Sequence, residues 1–227
     1  MGSDETRRLR IGIFTYSTRP RGGVAHALDL ASALSALGHD VVVTAPNESG
    51  SGFFRRPSCA TRVFPVAATS GGTVGFVRQR IEEYVAFLER SDERFDVYHA
   101  QDGISANALA TLVERGRIPG FLRTVHHLDA FQEPELRAWQ NRSVTSADRC
   151  LVVSRIWQER LLAWYGLRST VVSNGVDTTR FVPLLEERRI ALRRALGFVD
   201  GPLFVSIGGI EARKNTIGVL EGFARVS

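Results

Sequence analysis

Short, almost unbroken apolar runs alternate along this chain with longer stretches whose apolar residues recur every three or four positions. The runs at 10–16 (RIGIFTY), 40–45 (DVVVTA), 62–66, 95–100 (FDVYHA), 121–126 (FLRTVH), 149–153 (RCLVV) and 170–173 predict β-strands. Between them, residues 24–37, 76–89, 105–114, 133–146 and 154–164 predict helices. Leu30, Ala33, Leu34 and Leu37 form the apolar stripe of the first helix, with Gly38 as its stop. Val77, Ile81, Tyr84 and Leu88 form that of the second, and Ser154 is the expected N-cap of the last. Strands that do not alternate polar with apolar are buried on both faces, which requires a parallel sheet covered by helices on each side. Right-handed crossovers then give the fold class α/β, a Rossmann-like doubly wound parallel sheet.

The pattern changes from Asp177 onward. Residues 186–196 read as a charged linker helix, 203–207 (LFVSI) as a new strand and 216–226 as a new helix. One strand and one helix cannot enclose a core. The expected division is therefore a Rossmann-like domain over 1–180, a linker over 181–200, and the truncated start of a second Rossmann-like domain over 201–227. The segment 46–61 (PNESGSGFFRRPSCAT) is rich in Gly, Ser and Pro but carries Phe53, Phe54, Arg55 and Arg56. It reads either as a mobile surface loop or as a lid that contacts an acceptor.

Composition narrows the class without naming it. With 227 residues, 44% hydrophobic and 23% charged, the chain is not a disordered, collagenous or coiled-coil protein as a whole. No apolar run approaches the roughly 20 residues of a membrane helix, and the first ten residues are too polar for a secretory signal. The two cysteines, Cys59 and Cys150, give neither a disulfide scaffold nor a Cys-x-x-Cys pair, so a reducing, cytoplasmic setting is expected. The net charge is +5, and Lys214 is the one lysine among 29 basic residues. Acidic residues are interspersed, with no aromatic-rich RNA signature and no basic recognition helix, so nucleic acid is not an expected partner. Arg188, Arg189, Arg193 and Arg194 read as a solvated linker or as a face for anionic lipid at the inner side of a membrane.

In a doubly wound sheet, ligand chemistry collects beyond the C-terminal ends of the strands. After the first strand, Gly22 and Gly23 open a helix; either they let a phosphate approach the helix N-terminus, or they serve a tight turn that needs positive φ. The dinucleotide pattern G-x-G-x-x-G is missing, and no acidic residue ends the second strand, which disfavours a nicotinamide cofactor. The fourth strand carries His99 and, after it, Asp102; the plainer reading is an inward imidazole plus an N-cap. His126 and His127 follow the fifth strand, and one of them must point away from the crevice. No Asp-x-Asp and no ligand spacing among the five histidines supports a metal. Asn174, Gly175 and Asp177 form a turn at the expected domain boundary. Beyond it, the Gly208-Gly209 segment carries Arg213 and Lys214, cations suited to a diphosphate.

These segments in this order resemble a retaining glycosyltransferase of the GT-B fold, family 4. The marks are RIGIFTYSTRPRGGVAHALDLASALSALGHDVVV, DVYHAQD, TVHHLDAF, ADRCLVVS, VVSNGVDTTRFVP and SIGGIEARKN. The resemblance implies transfer of a sugar from a nucleoside-diphosphate sugar with retained anomeric configuration, without a bound cofactor. It implies a first domain that shapes the site for a glycan, lipid or small-molecule acceptor, and a second that holds the donor. By position, Gly22 and Gly23 match the glycine loop at the donor phosphates, and Arg213, next to Lys214, is the expected replacement for the family's usual second cation there. His126 matches the cleft histidine near the transferred sugar. Asn174 to Asp177 match the interdomain turn, and Lys214 matches the lysine that pairs with the leaving diphosphate. Two features depart from the family. Gly208-Gly209 stands where a Gly-Arg pair is usual, and the pair of glutamates eight positions apart does not occur in this sequence. The resemblance therefore reads the chain as the N-terminal half of an enzyme, inactive by itself. The alternatives are a nucleoside-diphosphate-sugar epimerase of the same fold and a non-enzymatic binding module.

Overall fold

The computed structural model describes residues 7–198, 201–207, 210 and 214–225. The chain divides into two units, Met1–Thr178 and Thr179–Ser227. In the first unit, β1 (Arg10–Phe14), β2 (Asp40–Asn47), β3 (Ala60–Pro65), β4 (Val97–Ala100), β5 (Leu122–Val125), β6 (Arg149–Val152) and β7 (Ser169–Val171) form one sheet in the order β3-β2-β1-β4-β5-β6-β7. Every pairing is parallel. The connecting helices are α1 (Gly22–Ala36), α2 (Gly72–Glu89), α3 (Gly103–Glu114), α4 (Pro134–Thr145) and α5 (Arg155–Tyr165). The strand order runs one way from β1 through β3 and the other way from β4 to β7. The switch point, where such sheets hold ligands, therefore lies between β1 and β4.

The core explains why these runs are strands. Ile11, Ile13, Val41 and Val43 pack against Val24, Ala27, Leu28 and Ala31 of α1. Phe14, Val42, Tyr98 and Ala100 face the other way, against Tyr84 of α2 and Leu109 of α3. A third cluster joins Val125, Cys150 and Val152 to Val144 of α4 and Leu161 of α5. The buried side of α1 is not the expected stripe of Leu30, Ala33, Leu34 and Leu37: Leu37 is 73% exposed, and Val24, Ala27, Leu28 and Ala31 face the sheet instead. Small side chains bring the helix axis closer to the strands, and the larger leucines at 30 and 34 flank the contact. Gly38 follows the C-cap Leu37 with φ +92°, the left-handed stop expected of it.

Gly12 has a different reason to lack a side chain. A Cβ there would lie 2.8 Å from the Phe14 ring and 2.9 Å from Phe95. Both rings pack on Tyr98, Phe14 stacked nearly parallel to it at 5.9 Å and Phe95 edge-on at 5.4 Å. On α2 one charge is buried: Arg80 donates to Ala67 O at 3.0 Å and to Glu48 at 2.7 Å, and pairs with Glu83. It is thereby paired and hydrogen-bonded, the condition under which a buried cation is tolerated.

The second unit holds α6 (Glu186–Ala195) and α7 (Thr216–Ala224). The strand expected over 203–207 does not form among the described residues. A strand is made by its ladder partner, and these residues have none; Phe204 and Ile207 are 74% and 92% exposed. No described helix is long and apolar enough to cross a membrane.

Candidate active site

The C-terminal ends of β1, β4, β5 and β7 gather one set of polar side chains. β1 ends in the loop 15–21, and α1 starts at Gly22 with Arg21 as N-cap and no acidic residue in its first turn. The first amides of α1 are therefore uncompensated donors at a positive dipole end. Neither Gly22 nor Gly23 has positive φ, so the tight-turn reading of this pair fails. Gly22 faces open space, whereas a Cβ on Gly23 would meet the His126 ring at 3.6 Å. The glycines leave room for something to reach the helix terminus beside His126.

His126, just past β5, is half-buried, and His127 turns outward, 3.4 Å from Asp129. The His126 ring packs edge-on against His26 of α1, with centroids 4.8 Å apart. Its Nε2 lies 3.2 Å from Gln101 Oε1, and the Gln101 amide nitrogen lies 3.1 Å from His99 Nε2. His99 Nε2 is also 2.7 Å from Thr124 Oγ1. His99 is thus an inward imidazole held by side chains. Desolvation, then the neighbouring His26 and Arg123, push the His126 pKa down to about 3. The same causes push His99 to about 4. Burial lowers His26 as well, opposed by a hydrogen bond with Asn174. At neutral pH this is a cluster of uncharged imidazoles.

Asp102 belongs to the scaffold. One carboxylate oxygen accepts from Tyr16 N at 2.7 Å, and the other accepts from Ser105 N at 2.8 Å as the N-cap of α3. It thereby joins the end of β1 to the start of α3 and sets the loop that carries Gln101. Burial raises its pKa, offset by the Arg123 guanidinium and these N–H donors. Arg123 itself is 5% exposed, its Nη1 donating to Thr124 O while Nε has no partner.

Of the residues expected from sequence, Gly23, His99, His126 and Asn174 come together around His26 and Gln101. Gly22 stands at the open helix start, and Gly175 and Asp177 lie in the exposed loop after β7. Lys214 is exposed in the second unit, just before Asn215, the N-cap of α7. Asn215 has φ +50°, which Asn tolerates, and its side chain folds over Gly218, where a Cβ would sit 2.6 Å from it. Arg213 lies outside the described residues. Sequence reading missed His26 and Gln101. His26 was legible as the residue one helical turn after Gly22–Gly23, and Gln101 as the polar residue directly after a strand end. Among the described residues, no three His, Cys, Asp or Glu side chains are grouped to hold a metal ion.

Beside this cluster, over the ends of β1 to β3, lies a pocket of about 510 Å³ lined by Tyr16, Arg19, Arg21, Asn47, Phe54 and Arg80, among others. The segment 46–61 forms one of its walls and is pinned down. Phe53 packs on the α1 core, Phe54 N donates to Thr18 O at 2.9 Å, and Arg55 bonds Ala25 O and Asp29 at 2.9 and 2.5 Å. In the segment read as a mobile loop or as a lid or acceptor-contact loop, Phe53 and Arg55 are thus held against α1, and Phe54 remains 43% exposed.

A parallel sheet with polar side chains gathered at a β1/β4 switch point and an open helix N-terminus beside them is the frame of a Rossmann-like domain of the GT-B kind. The sequence profile of Glycosyltransferase Family 4 matches residues 20–180, and the chain belongs to that family. Solved structures agree on the fold. Sucrose-phosphate synthase from Thermosynechococcus elongatus aligns over 96% of this chain and 60% of its own, at 16% identity and a TM-score of 0.75. The catalytic domain of starch synthase IV from Arabidopsis thaliana, bound to ADP and acarbose, aligns over 87% and 61%, at 13% identity and a TM-score of 0.63. HepE from Anabaena, in complex with UDP and glucose, aligns over 84% and 50%, at 17% identity and a TM-score of 0.59. The chain thus spans about half to three-fifths of the length of these relatives. No curated protein sequence matches it.

Proposed function

We propose that this chain is the acceptor-side half of a glycosyltransferase that moves a sugar from a nucleoside-diphosphate sugar to an acceptor with retention of anomeric configuration. The observation that carries the reading is the meeting of Gly23 and His126. A helix N-terminus free of acidic residues lies directly against a neutral imidazole at the switch point of a Glycosyltransferase Family 4 domain. The amides at 22–23 suit a donor diphosphate, and His126 suits a hydroxyl of the transferred sugar. Lys214, before the N-terminus of α7, would meet the departing diphosphate, with Arg213 beside it. In that role the cation acts on charge that grows as the glycosidic bond breaks, which is how a fixed positive group accelerates the step. UDP or ADP in the structural relatives supports a nucleotide-sugar donor.

The 510 Å³ pocket is the proposed acceptor site. It adjoins the cluster, and Phe54, Tyr16 and two arginines give it an aromatic wall and a positive rim for a glycan, lipid or small-molecule acceptor. The test is a donor screen, with anomeric analysis, on the protein carrying its second domain in full. The expected product keeps the donor's anomeric configuration. An inverted product, epimerised donor or hydride chemistry overturns the reading, and nucleotide-sugar binding without turnover makes it a binding module. The 227-residue chain alone is expected to transfer nothing, because an open site cannot exclude water.

A further inference from the structure

Gln101 has one acceptor end and one donor end, and the structure turns them toward two different imidazoles. It is 2% exposed, so water cannot replace either bond. Its Oε1 faces His126 Nε2 at 3.2 Å, and its amide nitrogen faces His99 Nε2 at 3.1 Å. An amide oxygen accepts and an amide N–H₂ donates, so the two ring nitrogens facing it must be in opposite states. We propose that Gln101 is the positioning residue for His126: it holds that imidazole as the Nε2–H tautomer and, through the same side chain, holds His99 as Nδ1–H. This rests on the reading of His126 as the sugar-facing group and adds how that group is set. With Nε2–H committed to Gln101, the ring is held neutral and in one orientation, its Cδ2–Nε2 edge beside Gly23.

The surroundings keep the arrangement uncharged. The titratable and charged groups that bear on His126 are His26 from α1, His99 from β4, Arg123 from β5 and the adjacent His127. All four disfavour a proton on His126, as does burial. A second proton on either ring would have to enter against this field. The amide, which carries no charge, fixes direction without attracting one; a carboxylate in its place would do the opposite.

The test is ¹⁵N-resolved NMR of the histidine rings in the 227-residue chain, with Gln101→Glu and Gln101→Leu. In the parent, His126 is expected as neutral Nε2–H and His99 as neutral Nδ1–H, both without titration down to about pH 5. Gln101→Glu accepts from both rings, so both become Nε2–H and the His126 pKa rises by about one unit or more. Gln101→Leu frees His126 to exchange between tautomers. In the longer protein, both variants are expected to lower kcat more than they raise the donor KM. His126 found as Nδ1–H or as a mixture in the parent, or ring signals unmoved in Gln101→Glu, overturns the proposal. The parent measurement decides even if a variant fails to fold. Correct tautomers in a protein inactive on every nucleotide sugar would instead overturn the transferase reading.

Discussion

At the scale of single residues, the buried imidazoles make stability depend on pH in a definite direction. Unfolded histidine titrates near 6.5, whereas folded His99 and His126 titrate at about 4 and about 3. Below pH 6.5 the unfolded chain therefore binds more protons, and stability falls as the pH drops toward the folded values. For His99 alone the loss between pH 7 and pH 4.5 comes to about 2–3 kcal/mol. Urea midpoints at those two pH values should fall together less in His99→Gln than in the parent; an equal fall in both rejects the assignment. For catalysis, His126→Ala and Lys214→Ala in the longer protein should each impair turnover. For Lys214 the expected loss in kcat is on the order of 10²-fold, the usual effect of removing a preorganised charge. Near-parental kinetics in both would remove these residues from the mechanism. The position of His126 just beyond a strand end was readable in sequence, whereas which of His126 and His127 turns inward was not. The place of Gln101 directly after a strand end was legible too, but nothing in a glutamine's identity says which two rings its amide bridges. That follows from β4 and β5 lying side by side, 25 positions apart in the chain.

Elements are held in place by a few side chains that act across them. Asp102 binds the amide after β1, caps α3 and faces the buried Arg123 guanidinium. Its removal leaves two N–H donors and the cap of α3 unmet and takes a negative charge away from Arg123, so Asp102→Ala should cost about 2–4 kcal/mol, measured as a shift in urea midpoint. A cost near 1 kcal/mol would mean that the cap alone matters. Gly12→Ala pushes a methyl into the Phe14 and Phe95 rings and should cost about 1–3 kcal/mol by overpacking. A neutral result would show that the aromatic stack yields. The strands and helices themselves were legible, because apolar runs and three-to-four spacing record burial directly. The buried side of α1 was misread because the helix carries two overlapping apolar stripes, and the one holding Val24, Ala27, Leu28 and Ala31 lies against the sheet. The strand expected over 203–207 was misread for another reason: its apolar composition is suited to a sheet, but pairing requires a neighbour.

For the whole chain, the two units differ in what stabilises them. The first encloses three hydrophobic clusters. None of the described residues of the second is buried, and Ile210 and Ile217 are 86% and 67% exposed. Opening free energies follow buried contacts, so the second unit should be cut first by a protease. Limited trypsin digestion of the full chain is expected to leave a folded fragment ending near Arg180. Survival of the intact chain under conditions that cleave an unfolded control would show that the second unit is protected.

The central place of β1 in the sheet has a cost in time. β2, its neighbour on one side, follows within one helix, but its other neighbour, β4, arrives only after β3 and α2 have been made. The contacts that join them, such as Arg10 N–H to the Asp96 carboxylate, span 86 positions. On a ribosome adding roughly 5–20 residues per second, that interval lasts about 4–17 s. Throughout it, the Ile11–Phe14 edge emerges from the exit tunnel without its permanent partner, open to nascent-chain binding factors or to the same edge on a neighbouring polysome. The strand that anchors the finished sheet is therefore the one whose biogenesis is most exposed, and slowing translation across α2 should lengthen that exposure.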